Sequence, residues 1–167
     1  DVFRDVLLQD GQTLRYAVFD KNPDADTLDA LDQVKNTVIA AGAKLDEGDL
    51  ANFGFERLSG FNKNLYIHDK FLLVDPLGND PVVLTGSANF SAASQYNNDE
   101  NMVVIRGNQR VADIYFGEFM RVFDHLYSRY IVGRMKNAGT SNPDAGYLKA
   151  SAAEWVPGHF KPGRKDL

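Results

Sequence analysis

The hydrophobic and polar positions of the chain predict two helices and two strands before residue 45. Apolar residues at helical spacing indicate helices, and runs rich in β-branched and aromatic residues indicate strands. The run Thr37-Val38-Ile39 could extend the second helix, but its β-branched side chains favour a strand. The predicted elements are helix 1–10, strand 14–19, a helix from a cap at Asp26 or Thr27 to about Val34, and strand 37–41. Residues 45–60 show no clear period and are predicted to form a loop.

A second group of predicted elements begins at residue 65 and includes a hairpin. Its first strand carries apolar residues on both faces, which indicates a strand that is covered on both sides. A segment rich in Gly, Pro, Asn and Asp separates this strand from the next, so the pair is predicted to form a hairpin. The predicted elements are strand 65–75, turn 76–81, strand 82–85, a short helix capped by Ser91 that runs through Tyr96, and strand 101–106.

The strongest helical pattern covers residues 109–130, where apolar side chains fall mostly at i, i+3 and i+4 spacing. We interpret this stripe as core packing by a helix that lies across one face of the sheet. His125 lies beside the stripe and is interpreted as a surface or partly buried residue, not as a ligand. The pattern ends at Ile131. Residues 136–167 are predicted to be a C-terminal extension that packs on a domain of residues 1–135 or is partly disordered.

Three polar clusters interrupt the apolar background between residues 66 and 101, and they carry the candidate chemistry. An imidazole and an ammonium group can flank one phosphate group, while Gly, Ser and Asn offer close backbone approach and neutral hydrogen bonds. A carboxylate near an imidazole can fix its tautomer and raise its basicity. The clusters are His68, Lys70 and Asp75; Gly86, Ser87 and Asn89; and Asn98, Asp99, Glu100 and Asn101.

The predicted strand 65–75 places His68 and Lys70 on the same face. Residues two apart in a strand lie about 6 to 7 Å from each other, a gap that suits one phosphate group. A lone H-x-K-x-x-x-x-D pattern is a weak signal, because such a triplet arises by chance and Lys70 and Asp75 could form a solvated ion pair. The three clusters nevertheless follow one another around a single hairpin, and this context favours a functional site.

The sequence H-D-K-F-L-L-V-D, followed by G-S-A-N-F-S and N-N-D-E-N, resembles the HKD signature of the phospholipase D superfamily. The resemblance covers residues 61–130 closely and residues 11–60 loosely. It implies an α/β fold with a mixed β-sheet flanked by helices on both faces. It also implies metal-independent phosphoryl transfer through a phosphohistidine, without a cofactor. The connection from Asp75 to Gly86 is longer than is usual in the family, which a longer hairpin turn would accommodate.

The resemblance further implies a role for each motif residue. His68 would be the nucleophile, or the general acid, on a phosphodiester, and Glu100 would hydrogen-bond to it and orient it. Asp75 would support the site. A neutral imidazole is a competent nucleophile near pH 7, and a lysine stabilises negative charge that develops on phosphate oxygens, so the side-chain chemistry agrees. The implied phosphate ligands are Lys70, Asn89 and, as an assisting group, Ser87.

The family forms its active site from two HKD motifs, whereas this chain contains one. The stretch His159-Phe160-Lys161 matches H-x-K, and Asp166 falls at the Asp position. We interpret this match as coincidence, because no apolar strand surrounds it and no Gly-Ser follows. The second motif is expected from another half of the same protein or from a second copy in a homodimer. The chain begins at Asp1 inside a predicted helix, which favours a fragment.

Composition narrows the possible partners only in part. The 167-residue chain is 44% hydrophobic, which suits one domain with a core. Its 18 basic and 23 acidic residues give a net charge of −5, which disfavours a broad, nonspecific grip on nucleic acid. The absence of cysteine excludes disulfides and thiolate metal sites and leaves the compartment open. No apolar run approaches the length that spans a membrane.

Two functions of different class fit these observations. The first is a phosphodiesterase that hydrolyses or transfers a phospholipid or nucleic-acid phosphodiester and needs a second HKD motif; a homodimeric endonuclease is one version of it. The second is a non-catalytic module that binds phosphate or a nucleic-acid backbone. The set of His68, Lys70, Asn89 and Glu100 favours the enzyme, because a pure binder needs no oriented nucleophile.

Overall fold

The computed structural model describes residues 2–42, 67–137 and 151–159. The chain divides into two compact units, one of residues 1–66 and 125–167 and one of residues 67–124. The described helices and strands, in chain order, are α1 Val2–Leu7, β1 Arg15–Phe19, α2 Ala25–Gln33, β2 Thr37–Ala41, β3 Phe71–Val74, β4 Val82–Gly86, α3 Ala92–Asn97, β5 Met102–Arg106, α4 Gln109–Asn137 and α5 Ala152–His159. The predicted α/β class is confirmed. The described strands form two small sheets where one mixed sheet was expected.

The first unit contains a two-stranded parallel sheet. Strand β1 pairs with β2 in a register that runs from Arg15 opposite Thr37 to Phe19 opposite Ala41. Most of β2 is buried, which agrees with its β-branched and small side chains. The predicted strand at 37–41 is therefore confirmed. The predicted loop at 45–60 lies outside the described residues. The buried core cluster of this unit consists of Leu31, Ile39, Ala41 and Tyr130.

The N-cap of helix α2 lies two or three residues before the caps predicted for it. Asp24 is the N-cap, and its carboxylate accepts hydrogen bonds of 2.9 Å from both the backbone N–H and the hydroxyl of Thr27. These bonds lower the pKa of Asp24. Asp26 lies in the first turn, where the helix dipole favours a negative charge. Helix α1 is shorter than predicted and ends at Leu7, well before Gly11.

Helix α4 continues to Asn137, so the prediction that the helical pattern ends at Ile131 was wrong. Two contacts within the first unit account for this extension. Tyr130 is only 4% exposed and belongs to the core cluster. Arg134 donates hydrogen bonds of 2.9 and 2.6 Å to the two carboxylate oxygens of Asp32 in α2, and this raises the pKa of Arg134. Tertiary partners of this kind stabilise a helix end that has a weak hydrophobic pattern.

The second unit contains a three-stranded antiparallel sheet in the order β3-β4-β5. Strands β3 and β4 form the predicted hairpin, with Phe71 opposite Thr85 and Val74 opposite Val82. The strand predicted over 65–75 is confirmed only over Phe71–Val74. The reason lies in its partner, because Phe71 is opposite Thr85 and β4 ends one residue later, at Gly86. A strand cannot extend past the ladder that satisfies its backbone.

One face of this sheet is covered and the other is open. The Phe71 ring makes edge contacts with Tyr115 and Phe119 of α4, with ring centroids 5.2 and 6.3 Å apart, so α4 packs against this face as predicted. On the opposite face, Leu72 is 40% exposed and Val74 is 51% exposed. Within the second unit, helix α4 therefore covers β3 on one side, where the sequence pattern predicted cover on both.

The C-terminal region contains one described element, helix α5, where the sequence pattern predicted none. This helix ends at His159, so the H-x-K match at 159–161 begins at a helix terminus and continues outside the described residues. The Ser91 cap of α3 is confirmed, since its hydroxyl accepts a hydrogen bond from the backbone N–H of Ser94. The domain boundary predicted at residue 135 stays a prediction.

Candidate active site

The antiparallel register of the second unit brings the polar clusters to one end of its sheet. The start of β3 lies beside the end of β4, and the end of β4 lies beside the start of β5. Lys70, Ser87 and Asn101, each one residue outside a strand, are therefore neighbours. This arrangement follows from antiparallel pairing, because the start of each strand lies at the same edge of the sheet as the end of the strand beside it. Residues of all three clusters meet in this way.

Glu100 lies at the centre of the hydrogen bonds at this end of the sheet. Its Oε2 accepts from the Ser87 hydroxyl at 2.5 Å, and its Oε1 accepts from Asn98 Nδ2 at 3.2 Å. The Ser87 bond, the Asn98 bond and the positive charge of Lys70 together lower the pKa of Glu100. A carboxylate with these partners stays ionised at neutral pH. It therefore offers a fixed negative charge close to Lys70.

The Gly86-Ser87 pair connects the ends of β4 and β5. Ser87 donates its backbone N–H to the carbonyl of Asn101 at 3.2 Å, and its hydroxyl accepts from the Asn101 N–H at 3.0 Å. Gly86 lies against the same carbonyl: a Cβ atom there would be 2.1 Å from the Asn101 oxygen. Glycine is thus required for close backbone approach, and this approach places Ser87 next to Glu100.

His68 and Lys70 precede β3 in an irregular segment and do not project from a strand, which corrects the prediction of their positions. Lys70 Nζ donates to the backbone carbonyl of His68 at 2.6 Å, so the lysine side chain folds over its own segment. The Thr85 hydroxyl donates to the Lys70 carbonyl at 3.1 Å and joins this segment to β4. His68 is exposed, whereas Lys70 is half-buried.

His68 and Lys70 border an open cavity of about 490 Å³ within the second unit. The irregular segment and the β3-β4 pair form part of its lining, and helix α4 supplies the rest. This is a suitable size for a small ligand. The lining residues are His68, Asp69, Lys70, Phe71, Thr85, Gly86, Ile114, Tyr115 and Glu118.

Sequence reasoning missed the contribution of α4 to this cavity. The 109–130 pattern was interpreted as core packing alone, yet three of its residues line the cavity. One signal was available, because Glu118 is a charged residue within an otherwise apolar stripe. A buried stripe seldom includes an acid without a partner or a function.

Asp75 is a predicted site residue that the structure separates from Lys70. It lies at the far end of β3 from Lys70, about 16 Å away along an extended strand. Its φ is +46°, and its backbone carbonyl accepts from the Gly78 N–H at 2.9 Å, which closes the hairpin turn. Its carboxylate lies over Gly78, where an added Cβ would be 2.0 Å from Oδ2. Asp75 therefore shapes the turn.

Asn89 lies on the exposed connection from β4 to α3. Its backbone carbonyl accepts from the Ser91 N–H at 2.7 Å, next to the cap of α3. This contact orders the backbone that follows Ser87.

The described residues show neither a cluster of metal ligands nor a helix that could span a membrane. Within residues 2–42, 67–137 and 151–159, no three His, Cys, Asp or Glu side chains come together as a metal site would need. In the same ranges, no helix combines the length and the apolar character that a membrane span requires.

The described residues form an α/β fold in which residues of the three polar clusters meet at one end of a sheet. A family model described as "Cardiolipin synthase, PLD-like domain" matches residues 13–126, which is more than half of the chain. The chain therefore belongs to the phospholipase D superfamily, as its HKD motif predicted. Searches of curated proteins and of solved structures found no match.

Proposed function

We propose that this chain supplies one half of a metal-independent phosphodiesterase site in which His68 forms a phosphohistidine. The observation that carries the proposal is the meeting of Lys70, Ser87 and Glu100 at one end of one sheet, beside a cavity that His68 also lines. An ammonium group, a hydroxyl and an ionised carboxylate are the groups that phosphate binding and imidazole orientation need.

In the first chemical step, a ring nitrogen of His68 attacks phosphorus. A P–N bond forms, the P–O bond to the leaving alcohol breaks, and an acid from the second HKD motif gives that alcohol its proton. In the second step, water or another alcohol attacks phosphorus and gives its proton to the group of the second HKD motif that acted as the acid in the first step. The P–N bond then breaks and the imidazole returns to its first state. The choice of water or alcohol decides between hydrolysis and transfer.

The remaining motif residues take supporting roles in this proposal. Lys70 and Asn89 bind the non-bridging oxygens of the phosphate, and Glu100 orients His68. The Ser87 hydroxyl already donates to Glu100, so it assists by holding that carboxylate in place. Asp75 acts from a distance by shaping the hairpin that carries the site.

The second HKD motif comes from another half of the same protein or from a second copy of this chain. The mass of the active species in size-exclusion chromatography separates these two sources. A monomer of this chain that does not hydrolyse bis-p-nitrophenyl phosphate supports the first source, and an active dimer supports the second. Parallel assays with phosphatidylcholine and plasmid DNA on the full-length protein identify the substrate class.

The test of the mechanism is capture of the covalent intermediate. In the assembly that turns over bis-p-nitrophenyl phosphate, acid-labile phosphate is expected on His68 during turnover, by mass spectrometry of the quenched enzyme. His68→Asn should remove both the label and the activity, and EDTA should leave the activity unchanged. Phosphate binding without any covalent label would support the non-catalytic binding module instead.

A further inference from the structure

Helix α4 lines one side of the cavity beside His68 and Lys70, and its lining residues lie outside the HKD motif. Ile114, Tyr115 and Glu118 line this side, and we name them the α4 wall. A phosphate group held by Lys70 would carry its substituents into the same cavity. The α4 wall is therefore placed to contact one of those substituents.

The α4 wall presents apolar and aromatic surface. Ile114 is 62% exposed, although it lies on a helix whose other apolar residues are mostly half-buried or buried. Tyr115 is held by its edge contact with Phe71, with ring centroids 5.2 Å apart. An exposed aliphatic side chain beside a fixed aromatic ring favours contact with an apolar group.

The charge of the α4 wall is neutralised from outside the cavity. Glu118 alone would repel a phosphodiester, but Arg121 donates hydrogen bonds of 2.8 and 2.7 Å to its two carboxylate oxygens. The wall thus brings neither an uncompensated negative charge nor a positive charge for a second phosphate group. The absence of a free charge on the α4 wall favours an uncharged substituent on the phosphodiester over a second phosphate group, such as the next one of a nucleic acid.

We propose that the α4 wall is a subsite for an apolar or aromatic alcohol substituent of the phosphodiester, and that Ile114 determines this preference. The proposal rests on the proposed function, because it requires a phosphate group at His68 and Lys70. It assigns the substrate class as a phosphodiester whose substituent nearest α4 is hydrophobic.

The test compares two phosphate esters that differ only in their substituent. Methyl phosphate and phenyl phosphate are titrated into the full chain, and the His68 ring signals, assigned with His68→Asn, are followed by NMR. Methyl phosphate reports on the phosphate site alone. Phenyl phosphate is expected to bind about three- to tenfold more tightly, because its ring would bury apolar surface against the α4 wall.

Two matched variants locate the effect. Ile114→Gln changes the size of the side chain little, does not lower its helix propensity, and should bring the two dissociation constants together. Leu77→Gln changes a residue that is 72% exposed in the hairpin turn, and it should leave the ratio unchanged. Circular dichroism checks that both variants are folded.

Each outcome has a separate meaning. Equal affinity of the wild-type chain for both esters would contradict the proposed subsite at the α4 wall, and so would an unchanged ratio of the two dissociation constants in Ile114→Gln. Either result would leave the proposed phosphate site in place. Absence of any His68 shift with methyl phosphate overturns the phosphate site itself, and the subsite inference with it.

Discussion

The two ends of the three-stranded sheet are both polar, but their polar groups are arranged differently. At the turn end, polar groups satisfy one another: Arg106 donates hydrogen bonds of 2.8 and 2.5 Å to Asp80, and Gln109 donates to the Pro76 carbonyl at 3.0 Å. At the site end, Lys70 and His68 border a cavity. The two ends therefore differ in whether open space lies beside the polar groups, which is a feature that ligand sites share.

The HKD motif extends over both ends of the sheet. Its His and Lys lie at the site end, whereas its Asp, Asp75, lies at the turn end in a left-handed conformation. Within one short motif, Asp75 therefore shapes a turn, whereas His68 and Lys70 border the cavity. The strand between Lys70 and Asp75 is the physical reason, because it separates them by its full length.

The largest difference between the two ends is expected in turnover. Lys70→Met should lower kcat by about 10²- to 10³-fold, because it removes a positive charge that stabilises phosphate in the transition state. Arg106→Met, which removes a positive charge at the turn end, should stay within about twofold of wild type, since exposed ion pairs contribute little. Both variants are assayed with bis-p-nitrophenyl phosphate in the active assembly. Equal losses would contradict the assignment of the site end.

A second difference is expected in stability, through one glycine at each end. Gly86→Ala should lower the free energy of unfolding by about 3 kcal/mol, because its Cβ would meet the Asn101 carbonyl at 2.1 Å. Gly107→Ala has space around its Cβ but a φ of +69°, and should cost about 1 kcal/mol. Urea unfolding measures both. The ranking of the two glycines would be wrong if Gly107→Ala proved the more harmful.

A third expected effect concerns the pKa of Glu100. Ser87→Ala should raise it more than Asn98→Ala does, because the Ser87 hydrogen bond is the largest cause of its lowering. A lowered carboxyl pKa stabilises the folded state above the unfolded pKa, and this contribution is lost as the pH falls through the folded pKa. The difference in the free energy of unfolding between wild type and Ser87→Ala should therefore become smaller as the pH falls below the usual range of glutamate pKa values. Carboxyl NMR titration and acid unfolding measure the two quantities, and a pKa insensitive to Ser87 would contradict the contact.

The smallest expected effect is at the turn-end ion pair. Asp80→Asn removes a bond between side chains that are 55% and 73% exposed, so the melting temperature should hardly change. Repeating the melt at high salt is the control, because screening should erase any remaining difference. A large loss of stability would mean that the turn end supports the sheet more than its exposure suggests.

Local sequence signals determined the hairpin, the Ser91 cap and the superfamily. Gly and Pro mark the turn, a serine hydroxyl caps the nearest N–H groups, and the motif residues occur in order; each signal acts over a few residues. The sequence also predicted that Glu100 and Ser87 belong to one site. Their actual partnership, a hydrogen bond between them, depends on the approach of β5 to β4.

Tertiary structure decided where the strands stop and what faces the cavity. Strand β3 is short because its partner β4 ends at Gly86, a limit that the apolar pattern of 65–75 does not contain. Helix α4 continues past Ile131 because Arg134 meets Asp32, which is 102 residues distant. The exposure of Ile114 beside Lys70 likewise depends on how α4 packs on Phe71. Periodicity reports which face of an element is apolar, but only packing decides which part of that face stays open to a ligand.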